Sequence, residues 1–287
     1  QMSKVKYFFQ FIFIIILFLI FKIIGLKNSS SLSGKLFKII GPFFRSNNLI
    51  HENIKKALPT VSLDKITKIK NQMWDNYGRI FAEYMFIRKF REDETNKDII
   101  IDGQEILNKI RDKGAPVVFI SGHFSNFELM AMQIEKSGIN LSAIYRPLNN
   151  VFLNKLMEKI RKNFICKKQI KKGMSGVREL IKLQKKNYST ALMIDQRVTE
   201  GIKSSFFNQD AFTTTIPAQL VKKFGIPVVP IYIERFDEIK FRITVYEPIN
   251  FTKDSSIKII TDKLNKILEK MILKKPEQWI WSHNRWK

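Results

Sequence analysis

Hydrophobic positions divide the chain into stretches of different period. From Tyr7 to Leu26 the residues are almost wholly Phe, Ile and Leu, interrupted by Gln10, Lys22 and Gly25. About 20 apolar residues in a helix cross a bilayer core, and Lys22 lies near enough to one end to reach the interface. Gly25-Leu26-Lys27-Asn28-Ser29 offers no small-x-small cleavage site. The pattern predicts an uncleaved membrane anchor over residues 1–28 and one large domain over residues 29–287. Lys27, Lys35, Lys38, Arg45, Lys55 and Lys56 follow the apolar run, against Lys4 and Lys6 before it. Positive flanks stay on the cytoplasmic side. The expected arrangement is a single span of the inner (cytoplasmic) membrane with the domain facing the cytoplasm.

Ser29-Ser30-Ser31 reads as a short linker. From Leu32 to Lys89 apolar residues recur at helical spacing, among them Ile66, Ile69, Met73, Tyr77, Ile80, Phe81 and Tyr84. This is a helical preface that packs on the core or lies on the membrane. Trp74, Tyr77, Tyr84 and Phe86 suit either an interfacial belt or a core. Beyond it, short apolar runs alternate with helical patterns. Strands are expected over Ile99–Ile101, Pro116–Ile120, Asn140–Tyr145, Thr190–Ile194, Pro227–Ile233 and Phe241–Tyr246. Helices are expected up to Lys113 and over Val151–Lys162, Met174–Lys186 and Ile257–Leu273. The alternation predicts an α/β fold, a mixed sheet flanked by helices, with no internal repeat and no second-domain boundary.

Chemistry gathers where the expected strands end. Pro116–Ile120 runs into Ser121-Gly122-His123, and a helix follows through Leu129 and Met130. A histidine at the carboxyl edge of a sheet sits where open α/β folds bind ligands. Neutral imidazole takes a proton from a hydroxyl near pH 7, and a carboxylate on its other nitrogen fixes the tautomer and stabilises imidazolium. Glu128, five residues on, meets His123 only if the histidine precedes the helix and the glutamate lies in its first turn. Ser125-x-x-Glu128 is equally a capping box, which would give Glu128 to backbone amides. Arg146 and the pair Asp195 and Arg197 end two other strands, and strand ends on one sheet edge converge in space.

Charge narrows the partners. The 287 residues hold 50 Lys+Arg against 26 Asp+Glu, a net charge of +24, and three histidines. This favours a polyanionic partner: nucleic acid, an acidic protein, or phosphorylated lipid. One cysteine, Cys166, excludes an intramolecular disulfide. There is no P-loop, no dinucleotide fingerprint, no Cys/His metal spacing and no Gly-x-Ser-x-Gly elbow, so neither cofactor nor metal is expected.

The ordered set of His123-x-x-x-x-Glu128 after a hydrophobic strand, Tyr145-Arg146-Pro147 and Asp195-Gln196 resembles the late acyltransferases of lipid A biosynthesis (lauroyl/myristoyl type). These lie within the superfamily of glycerolipid and lipid A acyltransferases, and the similarity runs from about Leu36 to the C-terminus. The resemblance implies His123 as general base, Glu128 as its relay carboxylate, and Arg161 and Asp195 as further required residues. Gly201–Phe207 is similar to the family's glycine-to-double-Phe loop, with Asn208 where glycine is frequent. The ending, Gln278 to Lys287, also resembles the family, and its cations suit a phosphate or an interface. Arg146, Arg197 and Arg285 are the expected substrate-binding residues, and His283 is a possible second base. The implied donor is acyl-acyl carrier protein, and the implied acceptor is an anionic glycolipid, a lipid A precursor. A glycerolipid acyltransferase shares the chemistry, but that group usually has Asp at the Glu128 position and a Glu-Gly-Thr block, which is absent. A membrane-tethered nucleic-acid-binding protein rests on charge alone and leaves the His123–Glu128 pair unexplained, so no nucleic acid is expected.

Overall fold

A computed structural model describes residues 2–95 and 97–287. The first apolar run forms α1 (Met2–Ile24), and Lys4–Ile24 is long and apolar enough to cross a membrane. Gly25, at φ +83°, turns the chain in a conformation that strains other residues, and α2 (Leu26–Phe44) begins at once. Ser29-Ser30-Ser31 is therefore helix and not linker. Ser29 Oγ donates to Leu26 O at 3.1 Å and Ser30 Oγ to Glu83 Oε1 at 2.8 Å, so the hydroxyls that suggested a loop are satisfied inside a helical pair.

The preface continues through α3 (Asn47–Ala57), α4 (Leu63–Glu83), a 3-10 turn (Tyr84–Phe86) and α5 (Ile87–Glu92). α2 and α4 lie close because Gly78 carries no side chain: a Cβ there would meet Ser33 O at 2.2 Å. Trp74 is buried, and Tyr77, Tyr84 and Phe86 pack against the main core. The core reading of these aromatics holds over the interfacial belt. α1 packs inward too. Phe18 and Phe21 are buried against Phe81, and Phe8 and Phe11 meet Phe152, while Val5, Phe9, Phe13, Ile16, Ile20 and Ile23 stay exposed.

The α/β part follows as β1 (Ile99–Asp102), α6 (Gln104–Lys113), β2 (Val118–Ser121), α7 (Glu128–Lys136), β3 (Leu141–Tyr145), α8 (Val151–Phe164), β4 (Lys168–Lys171), α9 (Met174–Gln184) and β5 (Ser189–Met193). Then come β6 (Ile202–Phe206), β7 (Gln209–Thr213), α10 (Ile216–Phe224), β8 (Val228–Asp237), β9 (Lys240–Val245) and α11 (Ile257–Lys274). Among the described residues the main sheet has seven strands in the order β1-β9-β8-β2-β5-β3-β4, parallel except between β8 and β9. This is the mixed sheet flanked by helices that the pattern predicts. β2 is buried along its whole length, as a strand between parallel neighbours must be.

One pairing decides the site. β2 runs parallel to β5 with Ser121 opposite Met193, so both chains leave the sheet at the same edge. His123 and Asp195 each lie two residues further on. The Gly201–Phe207 stretch, expected as a loop, is instead one arm of the β6–β7 hairpin. Phe207 (φ 51°) and Asn208 (φ 59°) form its two-residue turn. Both residues of such a turn need positive φ, which asparagine adopts more easily than other side-chain-bearing residues, so Asn208 serves where glycine is frequent.

Candidate active site

His123 leaves β2 after Gly122, where a Cβ would come within 3.0 Å of both Asp195 Oδ2 and Leu268 Cδ1. The close approach lets the chain fold onto Asp195. His123 Nδ1 lies 2.8 Å from Asp195 Oδ1, and the His123 backbone N–H donates to Oδ2 at 2.6 Å. Trp279 Nε1–H donates to the same Oδ2 at 2.9 Å. Asp195 is fully buried. Burial alone would raise its pKa, but the facing imidazole and these donors outweigh it and hold the carboxyl below its ordinary value. Burial likewise works against charge on His123, and Asp195, aided by Glu128, overcomes it and raises the imidazole pKa, with Arg161 opposing. An Asp195-bound Nδ1–H leaves Nε2 as the basic nitrogen.

Glu128 does not meet His123. It opens α7, and Arg161 from α8 donates to its Oε1 through Nε at 2.8 Å and Nη2 at 2.5 Å. The expected relay from Glu128 to His123 is therefore replaced by two separate pairs, His123–Asp195 and Glu128–Arg161. The reason is strand order: β5 beside β2 brings Asp195 to the imidazole first. The capping box does not form either. Ser125 is at φ +42°, its buried Oγ has no partner among the described residues, and no side chain caps α7. Arg161 also lies 5.6 Å from the Tyr145 ring centroid, and Tyr145 donates to Glu158 Oε1 at 2.5 Å.

His123, Glu128 and Arg161 line one cleft of about 540 Å³, with Asp195 buried behind the imidazole. Its lining includes the exposed Arg45, Arg146 and Lys172, the half-buried His283, and the buried apolar Phe119, Met130, Ile134, Leu192 and Ile165. Arg146 is exposed in this lining. Three consecutive backbone amides beside the imidazole are already used. His123 donates to Asp195, Phe124 to Gly122 O and Ser125 to Gln278 O. Arg161 is a cation in the cleft wall that an oxyanion could use.

Two expected substrate contacts are corrected. Arg285 is fully buried: Nη1 donates to Phe212 O and Nη2 to Thr213 Oγ1, both at 2.6 Å, and the guanidinium lies 4.9 Å from the Phe206 ring centroid. Burial pulls its pKa down to about 10. It ties the end of the chain to the β6–β7 hairpin and does not reach the cleft. Arg197 turns its guanidinium toward Phe212, 5.8 Å from the ring centroid, while its neighbours Gln196 and Val198 line the cleft. Its backbone N–H donates to His283 Nε2 at 3.0 Å. That bond occupies the nitrogen a second base would use.

Sequence reasoning missed Trp279 and Asn53. Trp279 completes the Asp195 cage. Asn53 Nδ2 donates to Trp281 O at 2.9 Å and His283 O at 3.0 Å, anchoring the tail to α3. The aromatic-rich ending was the available signal for the tail, but nothing in the sequence pairs it with Asp195. Among the described residues no cluster of His, Cys, Asp and Glu is arranged to hold a metal ion.

A family model described as bacterial lipid A biosynthesis acyltransferase matches residues 1–287. The chain is 24% identical over 255 residues to the lipid A biosynthesis lauroyltransferase of Escherichia coli (strain K12), covering 85% of this chain and 79% of that protein. It is 25% identical over 202 residues to lipid A biosynthesis acyltransferase 2 of Shigella flexneri, covering 66% and 61%. A third relative, the lipid A biosynthesis palmitoleoyltransferase of Escherichia coli (strain K12), is 22% identical over 253 residues, covering 86% and 80%.

Proposed function

Since the chain belongs to the bacterial lipid A biosynthesis acyltransferase family, we propose that it moves a fatty acyl chain from acyl-acyl carrier protein to a hydroxyl of a lipid A precursor. In this reading α1 is a single-pass anchor in the inner membrane and the cleft opens toward the cytoplasm. His123 Nε2 takes the proton of the acceptor hydroxyl, and the oxygen attacks the thioester carbonyl. Collapse of the tetrahedral intermediate forms the ester and expels the thiolate, which regains the proton from imidazolium. Asp195 orients the ring and stabilises its charged form. Glu128 holds Arg161 in the cleft wall, where its cation faces the developing oxyanion. The buried apolar lining takes the acyl chain, and the exposed Arg45, Arg146 and Lys172 take the anionic acceptor.

The observation that carries this reading is the His123–Asp195 bond beside a cleft lined by exposed cations and buried apolar residues. Mass spectrometry of lipid A from an acylation-deficient host tests it. Expression of the chain adds one acyl mass; His123→Ala does not. Unchanged lipid A on expression of the wild-type chain rules the reading out.

A further inference from the structure

The loop from Gly122 to Phe127 carries His123 at its start and delivers Glu128 at its end. It includes Ser125 in the left-handed region, at φ +42°. A loop in such a conformation keeps one shape only when its surroundings fix it. Asp195 takes the His123 N–H and Gln278 O takes the Ser125 N–H at 2.9 Å, so the sheet and the tail hold its first half. The second half is held from the helical preface. Asn126 Nδ2 donates to Glu83 Oε2 at 2.9 Å, across 43 residues of sequence.

Glu83 closes α4, is fully buried, and has both oxygens occupied. Oε1 accepts from Ser30 Oγ at 2.8 Å and from Arg235 Nη1 at 2.6 Å; Oε2 accepts from Arg235 Nη2 at 3.0 Å besides Asn126. Arg235 sits on β8 over the Phe241 ring, at 4.6 Å from its centroid. A buried ion pair is a poor stabiliser, since apolar residues of the same volume often serve as well. An apolar residue at position 83 would fill the same space, but it could not hold the Asn126 amide.

We propose that Glu83, paired with Arg235, is a positioning residue for the acyl-transfer site: through Asn126 it sets where His123 and Glu128 stand relative to Asp195 and Arg161. Ser30 brings α2 into the same junction, so the helices next to the anchor and the loop bearing the base share one carboxylate. The proposal rests on His123 being the base, and its test reads the geometry separately from turnover.

The test uses the full chain in detergent micelles with isotope-labelled histidine. Only three histidines are present, and His123→Gln assigns the signal of interest. Asn126→Ala cuts the tether while leaving Ser30, Glu83 and Arg235 in place. It also deletes Asn126 Oδ1, a buried acceptor with no partner among the described residues, so folding suffers little. The expected result is a fall in kcat of roughly 10–100-fold with KM unchanged, as for a reacting group displaced by about an ångström. The His123 titration should move down toward the ordinary imidazole value as the Asp195 contact loosens. Glu83→Leu with Arg235→Met removes the ion pair without leaving a buried charge, and should reproduce both changes. A merely structural role would lower Tm and leave the titration where it was. Wild-type titration of His123 in Asn126→Ala and in the double variant overturns the proposal. If the wild-type chain transfers no acyl group, the proposed function fails, and the titration still decides the positioning.

Discussion

Arg161 reaches Glu128 through two nitrogens, and both end on one oxygen, Oε1, at 2.8 and 2.5 Å. With Glu128 committed there, the carboxylate left for the imidazole is Asp195. The acidic residue of the His-x-x-x-x-Glu pattern thus serves the arginine, and an aspartate from the neighbouring strand serves the histidine.

The two carboxylates should respond differently to loss of charge. Asp195→Asn leaves His123 without its anionic partner and favours the wrong tautomer, a defect that costs roughly 10⁴-fold in kcat for other His–Asp pairs. Glu128→Gln loosens Arg161 instead, and the expected loss is about 10²–10³-fold, as for removal of one oxyanion donor. Steady-state rates of the two purified variants check the order. A Glu128→Gln enzyme worse than Asp195→Asn would return the relay to Glu128.

Removing the base tests the assignment directly. His123→Ala should cut turnover by roughly 10²–10⁴-fold or more, with a lower Tm because the buried Asp195 loses its partner, while membrane association stays as in the wild type. Near-normal turnover in that variant would exclude His123 as the base.

The pH dependence follows from the same pair. In the proposed mechanism His123 must be neutral to take a proton, and its pKa is raised above 6.5, so kcat/KM should climb with pH through a limb lying above that value. Asp195→Asn should shift the limb to lower pH. Stability runs the other way. The raised His123 pKa contributes stability that is full below 6.5 and is lost as pH rises through the folded value. The lowered Asp195 pKa contributes stability that is full above 3.8 and is lost as pH falls through its folded value. The pair is therefore most stabilising between those two ordinary values, and the enzyme should work fastest on the alkaline side of that window. Rate profiles above about pH 5 and unfolding curves from about pH 2 to 9 measure both.

The basic surface should matter most for an acidic donor. With a net charge of +24, turnover on acyl-acyl carrier protein should fall as salt rises, because screening shortens to about 8–10 Å near 0.1–0.15 M. Acyl-coenzyme A used equally well at every salt concentration would remove the carrier protein from the reading.

The hairpin turn offers a test of backbone geometry alone. Asn208 at φ 59° tolerates glycine, so Asn208→Gly should leave Tm nearly unchanged. Asn208→Val should cost about 1–2 kcal/mol, the penalty for a branched side chain in the left-handed region. Equal stabilities in urea titrations would show that the turn does not keep this conformation in solution.

The strands legible in the sequence are those with short, mostly apolar runs between helical patterns: β1, β2, β3, β5, β8 and β9. β4, Lys168-Gln169-Ile170-Lys171, buries a single isoleucine between two lysines, too little apolar pattern to mark a strand. β6 and β7 are hidden because they bury polar residues: Ser204 of β6 meets Asp262 and Asn265 of α11, and Thr213 of β7 meets Asn265. His123 was legible from the strand and glycine before it. Its partner was not, because strand order is absent from a linear pattern and only the β2–β5 pairing chooses Asp195 over Glu128. Arg285 misled for a related reason. A cation among tryptophans suggests an anionic ligand, yet the acceptors it finds are Phe212 O and Thr213 Oγ1, some 70 residues earlier in the chain.

Trp279 donates to Asp195 from 84 residues downstream, and Gln278 O takes the Ser125 amide. During translation, at about 5–20 residues per second, Asp195 emerges some 4–17 s before the indole that completes its cage. The base and both carboxylates are thus made early and remain unfinished until the last turn of the chain arrives. A chain cut between Gln196 and Gln278 would hold His123, Glu128, Arg161 and Asp195 and still lack the site, so prematurely terminated products should be inert rather than loosely active on membrane lipid.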